Sequence, residues 1–352
     1  METALRPLII ESTIADNLRR LGLNPRDLVL YVTSHCNLRC RHCYVGNDLL
    51  NASYFMSIDS VRYLLNAFGP LDRVTILGGE PLLHPKFPAI LSALSVTPSK
   101  ERRIDTNLTD IDLLDVDLVR EKRIRICVSL DGHTEALHCI LRGSRQFFKT
   151  DANLRTLVSL GLDIEITHTI HAKNIQHVGV FIEYCREMGM SRLNLHKISP
   201  RGNAIGRSDL LLRPKQWVDL VEDLRNRAQK PGRPPIRIRF ETVYATEKEA
   251  QRLRAEGKYH DLAAGSFYSE TAGDRIVIFP DGKVYISSEA FGSDSYIASI
   301  EGGRLVVNQS PRNELELARK GIVLITDLNP RAEVDSRYPI ILSVSYRESH
   351  IV

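Results

Sequence analysis

Strand-like and helix-like patterns alternate six times between residues 27 and 228 of this 352-residue chain. Alternation of this kind is typical of βα units that form a parallel sheet. We therefore expect an α/β fold with a partial (β/α)6 barrel, and a doubly wound sheet is the alternative because periodicity alone does not separate the two. The predicted strands are Leu28–Thr33, Arg73–Leu77, Arg102–Thr106, Ile124–Ser129, Asp163–Thr169 and Arg192–Ile198.

Amphipathic patterns between and after these strands predict the helices. Asp151 and Asn174 are predicted to cap two of them, because a side-chain oxygen at this position can accept a hydrogen bond from a free backbone N–H. The predicted helices are Ile58–Phe68, Phe87–Leu94, Leu113–Arg120, Asp151–Leu160, Ile175–Met188 and Pro214–Ala228.

The pattern changes at Gly232–Pro235, where two prolines interrupt it. A charged helical stretch, Glu247–Lys258, follows. Next comes a predicted hairpin, with strands Arg275–Phe279 and Lys283–Ser287 joined by a Pro-Asp-Gly turn. A last strand is predicted at Ile340–Tyr346. We therefore divide the chain into an N-terminal segment, 1–26, a core, 27–228, and a smaller α+β C-terminal extension, 229–352.

Composition and charge exclude several classes of partner. The net charge is only +4 and no long Lys/Arg block occurs, so we expect no nucleic-acid partner. No apolar run reaches transmembrane length, and the N-terminus lacks an apolar secretory core, so we expect no membrane association. The sequence therefore predicts a cytoplasmic protein, in which the six cysteines are ligands or buried thiols rather than disulfides.

Three of the six cysteines lie within eight residues, directly after the first predicted strand. Cys36, Cys40 and Cys43 have the spacing C-x3-C-x2-C. Thiolates in one short loop can hold an iron–sulfur cluster, and three of them leave one iron of a four-iron cluster open for another ligand. Zinc, with His35 or His42 as a fourth ligand, is the alternative, although no distant second pair of ligands accompanies the motif. Three unrelated buried thiols remain a further alternative.

Four segments in this order resemble motifs of the radical S-adenosylmethionine (radical SAM) superfamily. The first is the cysteine loop with Tyr44 after its third cysteine. The others are Gly78-Gly79-Glu80-Pro81, Asp105-Thr106-Asn107, and Ser129-Leu130-Asp131-Gly132 followed by Arg142-Gly143. The resemblance implies that the cysteines bind a cluster and that the cofactor-binding residues are Tyr44, Gly78, Gly79, Glu80, Asn107, Ser129, Asp131 and Arg142.

The same resemblance implies an enzyme with one [4Fe-4S] cluster and S-adenosyl-L-methionine as cofactors. Such an enzyme cleaves S-adenosylmethionine reductively and uses the 5′-deoxyadenosyl radical to take hydrogen from a substrate carbon. The expected substrate is a small natural product or a ribosomal peptide, and the expected electron donor is a reductant such as flavodoxin or ferredoxin. A non-catalytic relative that keeps iron–sulfur or zinc for binding alone is the competing interpretation.

Strand alternation predicts which side chains face the interior of the barrel. Cys127 and Ser129 share one face of the fourth strand, and Asp105 and Asn107 share one face of the third. Polar residues on the fifth and sixth strands are candidate substrate or cofactor contacts. They are Glu165, His171 and His196.

Residues 265–300 weakly resemble the C-terminal extension called SPASM, in which cysteines bind auxiliary clusters. Serines such as Ser266, Ser269, Ser287 and Ser288 stand where those cysteines would be expected, and no cysteine follows Cys185. Serine is a poor substitute for a soft sulfur ligand. We therefore expect a degenerate extension without auxiliary clusters, which covers the barrel mouth and shapes the substrate pocket.

Overall fold

The computed structural model describes residues 13–51, 54–228, 236–240, 242–245, 248, 251–252, 255, 266–269, 273–288, 291, 296–308, 322–324 and 340–343. Seven parallel strands form its centre, and each pairs with the next one along the chain. A doubly wound sheet reverses its strand order partway, so the unreversed order confirms the partial barrel. The strands are β1 (Asp27–Thr33), β2 (Leu71–Gly78), β3 (Ser99–Thr106), β4 (Arg125–Ser129), β5 (Ile164–Ile170), β6 (Arg192–Lys197) and β7 (Arg237–Phe240).

Nine α-helices are described, of which one precedes β1 and the other eight lie between successive strands from β1 to β7. None of the helices in the described part of the chain is long and apolar enough to cross a membrane. The helices are α1 (Ile14–Arg20), α2 (Gly46–Asn51), α3 (Ile58–Ala67), α4 (Phe87–Val96), α5 (Val116–Glu121), α6 (Glu135–Arg142), α7 (Phe147–Ser159), α8 (Val178–Glu187) and α9 (Pro214–Ala228).

Local hydrogen bonds explain where the helix predictions were wrong. α5 begins three residues later than predicted, because the Asp115 side chain accepts from the backbone N–H of Leu118 and caps the helix there. Asp151 is not a cap but lies inside α7, where it pairs with Arg155 on the next turn. Asn174 does precede a 3₁₀ turn, but its side-chain amide donates to the carbonyl of Thr169 instead of capping.

Alternation along the strands divides the core from the interior of the barrel. On β4, Ile126 and Val128 are buried in the main hydrophobic core. Cys127 and Ser129, on the opposite face, line a cavity inside the barrel. The predicted inward face of β4 is therefore confirmed, and the same period places polar groups in one interior space.

Strands of the predicted extension join the main sheet. β7 lies beyond residue 228, and β10 (Arg275–Ile278) pairs in parallel with the free edge of β1. The predicted hairpin forms as the antiparallel pair of β10 with β11 (Lys283–Tyr285), and the sheet reaches eleven strands in the described part of the chain. The remaining strands are β8 (Thr242–Ala245), β9 (Ser266–Ser269), β10 (Arg275–Ile278), β11 (Lys283–Tyr285), β12 (Ala298–Glu301), β13 (Arg304–Val307), β14 (Ile322–Leu324) and β15 (Ile340–Ser343).

A second, four-stranded sheet with the order β14-β9-β15-β8 belongs entirely to the extension. β15 confirms the first four residues of the strand predicted at Ile340–Tyr346. Most of the predicted helix Glu247–Lys258 and all of the interruption Gly232–Pro235 lie outside the described residues. The division of the chain at residue 228 stays a prediction, since β7 and β10–β13 continue the core sheet across it.

Candidate active site

A cavity of about 320 Å³ lies inside the barrel and reaches the carboxyl ends of its strands. Parallel strands place the loops that follow them at one edge of the sheet, so segments far apart in the sequence meet there. Eleven of the fourteen predicted site residues line this cavity. They are Cys36, Cys40, Cys43, Tyr44, Gly78, Gly79, Glu80, Asn107, Ser129, Arg142 and His196.

The three cysteines of the loop after β1 are packed together, largely removed from water. Burial raises the pKa of Cys36 to about 12 and that of Cys40 to about 11, so both are neutral thiols in the ligand-free protein. The backbone N–H of Leu38 donates to the Cys36 Sγ at 3.4 Å. Ligation requires thiolates, so binding of a metal group at this loop must release protons.

The donor set fits an iron–sulfur cluster better than a single ion. Four ligands of a zinc ion must lie within about 2.3 Å of one point, whereas the thiolates of a cluster bind different iron atoms. In the described part of the chain, no three His, Cys, Asp or Glu side chains are arranged to hold one metal ion. The cysteines are thus neighbours in one loop beside a cavity with room for a further ligand.

Gly78 and Gly79, at the end of β2, pack directly against the start of the cysteine loop. A Cβ at Gly79 would lie 2.4 Å from the carbonyl oxygen of His35, and one at Gly78 would lie 2.5 Å from that of Thr33. The backbone N–H of Gly79 also donates to the Thr33 carbonyl at 2.8 Å. Glycine is therefore required for contact within the chain, and not only for the approach of a ligand.

Glu80 connects the ends of β2 and β3 through a buried carboxylate. Its Oε1 accepts from the Thr106 hydroxyl at 2.7 Å and from the Leu82 N–H at 3.1 Å, and its Oε2 accepts from the Asn107 N–H at 2.7 Å. Burial raises the pKa of Glu80 to about 7, and these hydrogen bonds offset only part of that effect. Among the described residues, no cationic side chain forms an ion pair with it.

Asn107 and Tyr44 are held by other side chains as well as lining the cavity. The Asn107 amide donates to the Asn37 side chain at 3.0 Å, which links β3 to the cysteine loop. The Tyr44 hydroxyl lies 2.5 Å from that of Tyr31. Tyr31 in turn stacks on Phe279, which directly precedes the hairpin turn of the extension. Both predicted cofactor contacts therefore also fix the shape of the loop.

Arg142 and Asp131 form a buried ion pair beside the cysteine loop. The Arg142 Nε donates to the Asp131 Oδ2 at 2.5 Å, and its Nη1 lies 3.9 Å from the Cys40 Sγ. Burial alone would raise the pKa of Asp131, but the guanidinium of Arg142 and the nearby His42 outweigh it and hold this pKa well below its usual range. Arg142 lines the cavity, whereas Asp131 does not.

Two further predicted contacts also lie outside the cavity lining. Glu165 accepts from Arg103 at 2.8 Å and from Arg239 at 2.9 Å, and the two guanidinium groups overcome the effect of burial and lower its pKa. His171 is fully buried, and its Nδ1 accepts from the Lys173 N–H at 3.2 Å. Direct contact of either side chain with a ligand thus has no support in this arrangement. His196 does line the cavity and bonds to Asn194.

The structure adds cavity residues that sequence reasoning missed. Arg103 stands two residues before Asp105 on β3, so the alternation that identified Asp105 also pointed to Arg103. No sequence pattern predicted that Tyr31 and Arg275 line the cavity, because this depends on the parallel pairing of β1 with β10, which only the structure shows. Ser287 and Ser288 of the extension also line the cavity, which agrees with its predicted role in shaping the pocket.

The loop after β6 clamps the cysteine loop. The backbone N–H of Asn203 donates to the Cys43 carbonyl at 2.9 Å, and its side-chain amide donates to the Cys40 carbonyl at 3.0 Å. Gly202 has a φ of +51°, and a Cβ there would lie 2.2 Å from the Cys43 carbonyl oxygen. Only the folded chain brings these residues, about 160 positions apart, together.

Comparison with known proteins agrees with this geometry. Residues 30–185 match the family model described as "Radical SAM superfamily". The chain is 25% identical over 303 residues to the uncharacterized protein MJ0907 of Methanocaldococcus jannaschii, which covers 84% of this chain and 92% of that one. It is 28% identical over 215 residues to GTP 3′,8-cyclase 3 of Mycobacterium bovis, but the match covers only 54% of this chain and 56% of the cyclase.

Among solved structures, Streptococcus suis SuiB has a similar fold. Its crystal structure superposes with a TM-score of 0.62 at 17% sequence identity, covering 86% of this chain and 68% of SuiB. SuiB has also been solved with S-adenosylmethionine bound. Taken with the cysteine loop and the motifs at the carboxyl edge of the sheet, these matches show that residues 30–185 form a radical SAM domain.

Proposed function

We propose that Cys36, Cys40 and Cys43 hold one [4Fe-4S] cluster and that S-adenosylmethionine binds in the adjoining cavity. When bound, the reduced cluster would cleave S-adenosylmethionine into methionine and a 5′-deoxyadenosyl radical, and this radical would remove hydrogen from a substrate carbon. The observation that carries this proposal is the meeting of three thiols with Gly78, Gly79, Glu80, Ser129 and Arg142 around one cavity.

The residues around the cavity have distinct tasks in this proposal. Glu80 accepts three hydrogen bonds from neutral donors and forms no ion pair within the described part of the chain, so its Oε2 has a lone pair available for a cationic ligand group such as an ammonium. Ser129, at the end of β4, contributes a hydroxyl to the same cavity. Close packing of the loops keeps water away from the thiols, which strengthens every charge interaction in the site.

The proposed substrate is a small natural product or a ribosomal peptide. SuiB has been solved bound to the precursor peptide SuiA, which supports a peptide. The cavity is lined by apolar side chains, among them Val29, Tyr31 and Leu77, and by the ionisable side chains of Arg103 and Asp105. This mixed lining favours a substrate that carries both an apolar part and an ionised or polar group. A reductant such as flavodoxin or ferredoxin would supply the electron.

The proposal is tested by anaerobic reconstitution of the full chain followed by dithionite and S-adenosylmethionine, with 5′-deoxyadenosine as the measured product. We expect about four irons per chain and steady formation of 5′-deoxyadenosine. Cys40→Ala should lose both, and Cys185→Ala is the matched control because Cys185 is buried on α8, outside the cavity. Full activity of Cys40→Ala, or protein that binds zinc and no iron, would overturn the proposal in favour of a binding protein.

The number of clusters tests the interpretation of the extension. Residues 229–352 contain no cysteine, so we propose a single cluster and an extension that shapes the pocket through its hairpin. Phe291 contributes by packing against Phe279, with ring centroids 4.4 Å apart. An iron content near twice that of one cubane, lost when the extension is deleted, would contradict this proposal. The side chains of Phe267 and Tyr268, predicted to contribute as well, lie outside the described residues.

A further inference from the structure

We propose that Asp131 is a positioning residue, which holds the Arg142 guanidinium against Cys40 and thereby sets the reduction potential of the cluster bound there. This inference rests on the proposed function, because it requires a cluster on the cysteine loop. It changes the expected role of Asp131 from a cofactor contact to an anchor, in keeping with its absence from the cavity lining.

The anchor is rigid because its hydrogen-bonding groups are tied to different elements. Asp131 is fully buried at the end of β4. Its Oδ1 accepts from the Thr169 N–H on β5 at 2.7 Å, and its own N–H donates to the His138 Nδ1 on α6 at 3.2 Å. The Asn174 amide, before α8, donates to its carbonyl at 3.4 Å. Because two of these bonds fix the Asp131 backbone and one fixes Oδ1, the second carboxylate oxygen, Oδ2, points in one direction only.

The guanidinium is planar and its donors form a fixed fork, so anchoring one nitrogen aims the others. Asp131 takes the Arg142 Nε at 2.5 Å, and the Nη1 is then 3.9 Å from the Cys40 Sγ. The cysteine loop is tied to the same helix end, because the Arg41 N–H donates to the Leu141 carbonyl at 2.7 Å. The distance between guanidinium and sulfur is therefore determined by the fold.

Histidines pack around this pair. The His42 Nε2 lies 3.8 Å from the Asp131 Oδ2, and His138, His168 and His171 also approach Asp131, where burial lowers the pKa of each of the three. Arg142 is the cationic side chain of this group that donates to the Cys40 Sγ.

A cation that donates to a cysteine ligand favours the more negative, reduced form of a cluster. Net charge and hydrogen bonds to the ligand sulfurs are among the factors that set cluster potentials, and groups behind the ligands commonly orient them. Removal of Arg142 should therefore make the potential more negative. Removal of Asp131 should do the same if it acts by holding Arg142, although loss of a negative charge by itself would move the potential the other way.

The test is a redox titration of the reconstituted full chain without S-adenosylmethionine, in which the electron paramagnetic resonance signal of the reduced cluster is followed against potential. We expect more negative midpoint potentials for Arg142→Gln, Asp131→Asn and Asp131→Ala. Arg142→Lys keeps a cation for Asp131 but has no fork to reach Cys40, so it should shift in the same direction by less. If the Asp131 variants do not fold, Arg142→Lys still tests whether the position of the guanidinium sets the potential.

The matched control is Arg39→Gln. Arg39 lies on the same loop, but its Nη1 donates to the backbone carbonyls of Cys36 and Leu38 and not to a sulfur, so its loss should shift the potential less. A positive shift in the Asp131 variants, or unchanged potentials in the Arg142 variants, would overturn the inference. A wild-type protein without a reducible cluster would instead refute the proposed function.

Discussion

Two buried carboxylates stand at the carboxyl edge of the sheet, and their surroundings differ in one respect. Glu80, after β2, is held only by neutral donors, and burial raises its pKa to about 7. Asp131, after β4, is held by the Arg142 guanidinium, which together with His42 outweighs burial and keeps its pKa low. Both side chains are almost completely inaccessible to water. The presence of a protein cation in the hydrogen-bonded shell of Asp131, and not a difference in burial, therefore explains why the two pKa values shift in opposite directions.

This difference assigns different tasks to the two ends of the cavity. Asp131 stays ionised at neutral pH because the protein supplies its counter-charge, so it can orient Arg142 there. Glu80 has no such partner among the described residues, and a buried carboxylate without one favours its neutral form. A cationic ligand would supply the missing charge at Glu80, which is what the proposed binding of S-adenosylmethionine requires.

The largest effect is expected where the ion pair is broken. Replacement of one partner of a buried pair leaves the other charge uncompensated and costs about 3–5 kcal/mol. Asp131→Asn should lower the free energy of unfolding of the metal-free protein by this amount, measured by urea denaturation at pH 7.5. Lys215→Met, which breaks the exposed pair with Asp219 on α9, is the control and should cost about 0.5 kcal/mol or less. If both variants lower the free energy of unfolding by the same amount, Asp131 is not part of a buried ion pair that stabilises the fold.

A pH-dependent effect is expected at Glu80. Its pKa rises from 4.5 in the unfolded chain to about 7 in the folded protein. The folded state thus prefers the protonated form, and its extra stability, full below pH 4.5, is lost as the pH rises through 7. The two pKa values differ by enough to be worth about 3 kcal/mol.

Glu80→Gln cannot ionise and isolates this contribution. The free energy of unfolding of the wild type, relative to that of Glu80→Gln, should fall by about 3 kcal/mol between pH 4.5 and pH 8. Urea denaturation of both metal-free proteins across this range measures it, and the titration of all other groups cancels in the difference. A difference that does not change with pH would show that Glu80 is ionised in the folded protein, as Asp131 is.

The smallest of these effects concerns the backbone that carries Glu80. A methyl group at Gly79 would meet backbone atoms of Ser34 and His35, which cannot move aside cheaply. Gly79→Ala should therefore cost about 1–3 kcal/mol in stability, seen as a lower midpoint in urea. Gly179→Ala is the matched control, because a methyl group there meets only the end of the Arg227 side chain and should stabilise α8 by about 0.5–1 kcal/mol. If Gly79→Ala leaves the free energy of unfolding unchanged, the cysteine loop can move away from the added methyl group at no cost.

Much of the site was predictable because the motifs follow strands of a parallel sheet. Cys36, Gly79, Asn107 and Ser129 each lie at or just after the carboxyl end of a strand, and ends of parallel strands share an edge. Strand alternation then placed Cys127 inside the barrel. These patterns do not predict which charged residues form ion pairs. Arg103 pairs with Glu165, and Arg142 pairs with Asp131, across different elements of the fold.

The sequence by itself therefore determined the order of strands and helices, the three clustered thiols and the motifs of the radical SAM domain, since these depend on local spacing and on period. Tertiary structure alone decided that Glu165 is an ion-pair partner of Arg103 and Arg239, that Asn203 holds the cysteine loop, and that β10 closes against β1. The physical reason is that burial and charge compensation are properties of neighbours in space. Two carboxylates that look alike in the sequence, Glu80 and Asp131, acquire opposite pKa shifts only when the chain has placed a guanidinium beside one of them.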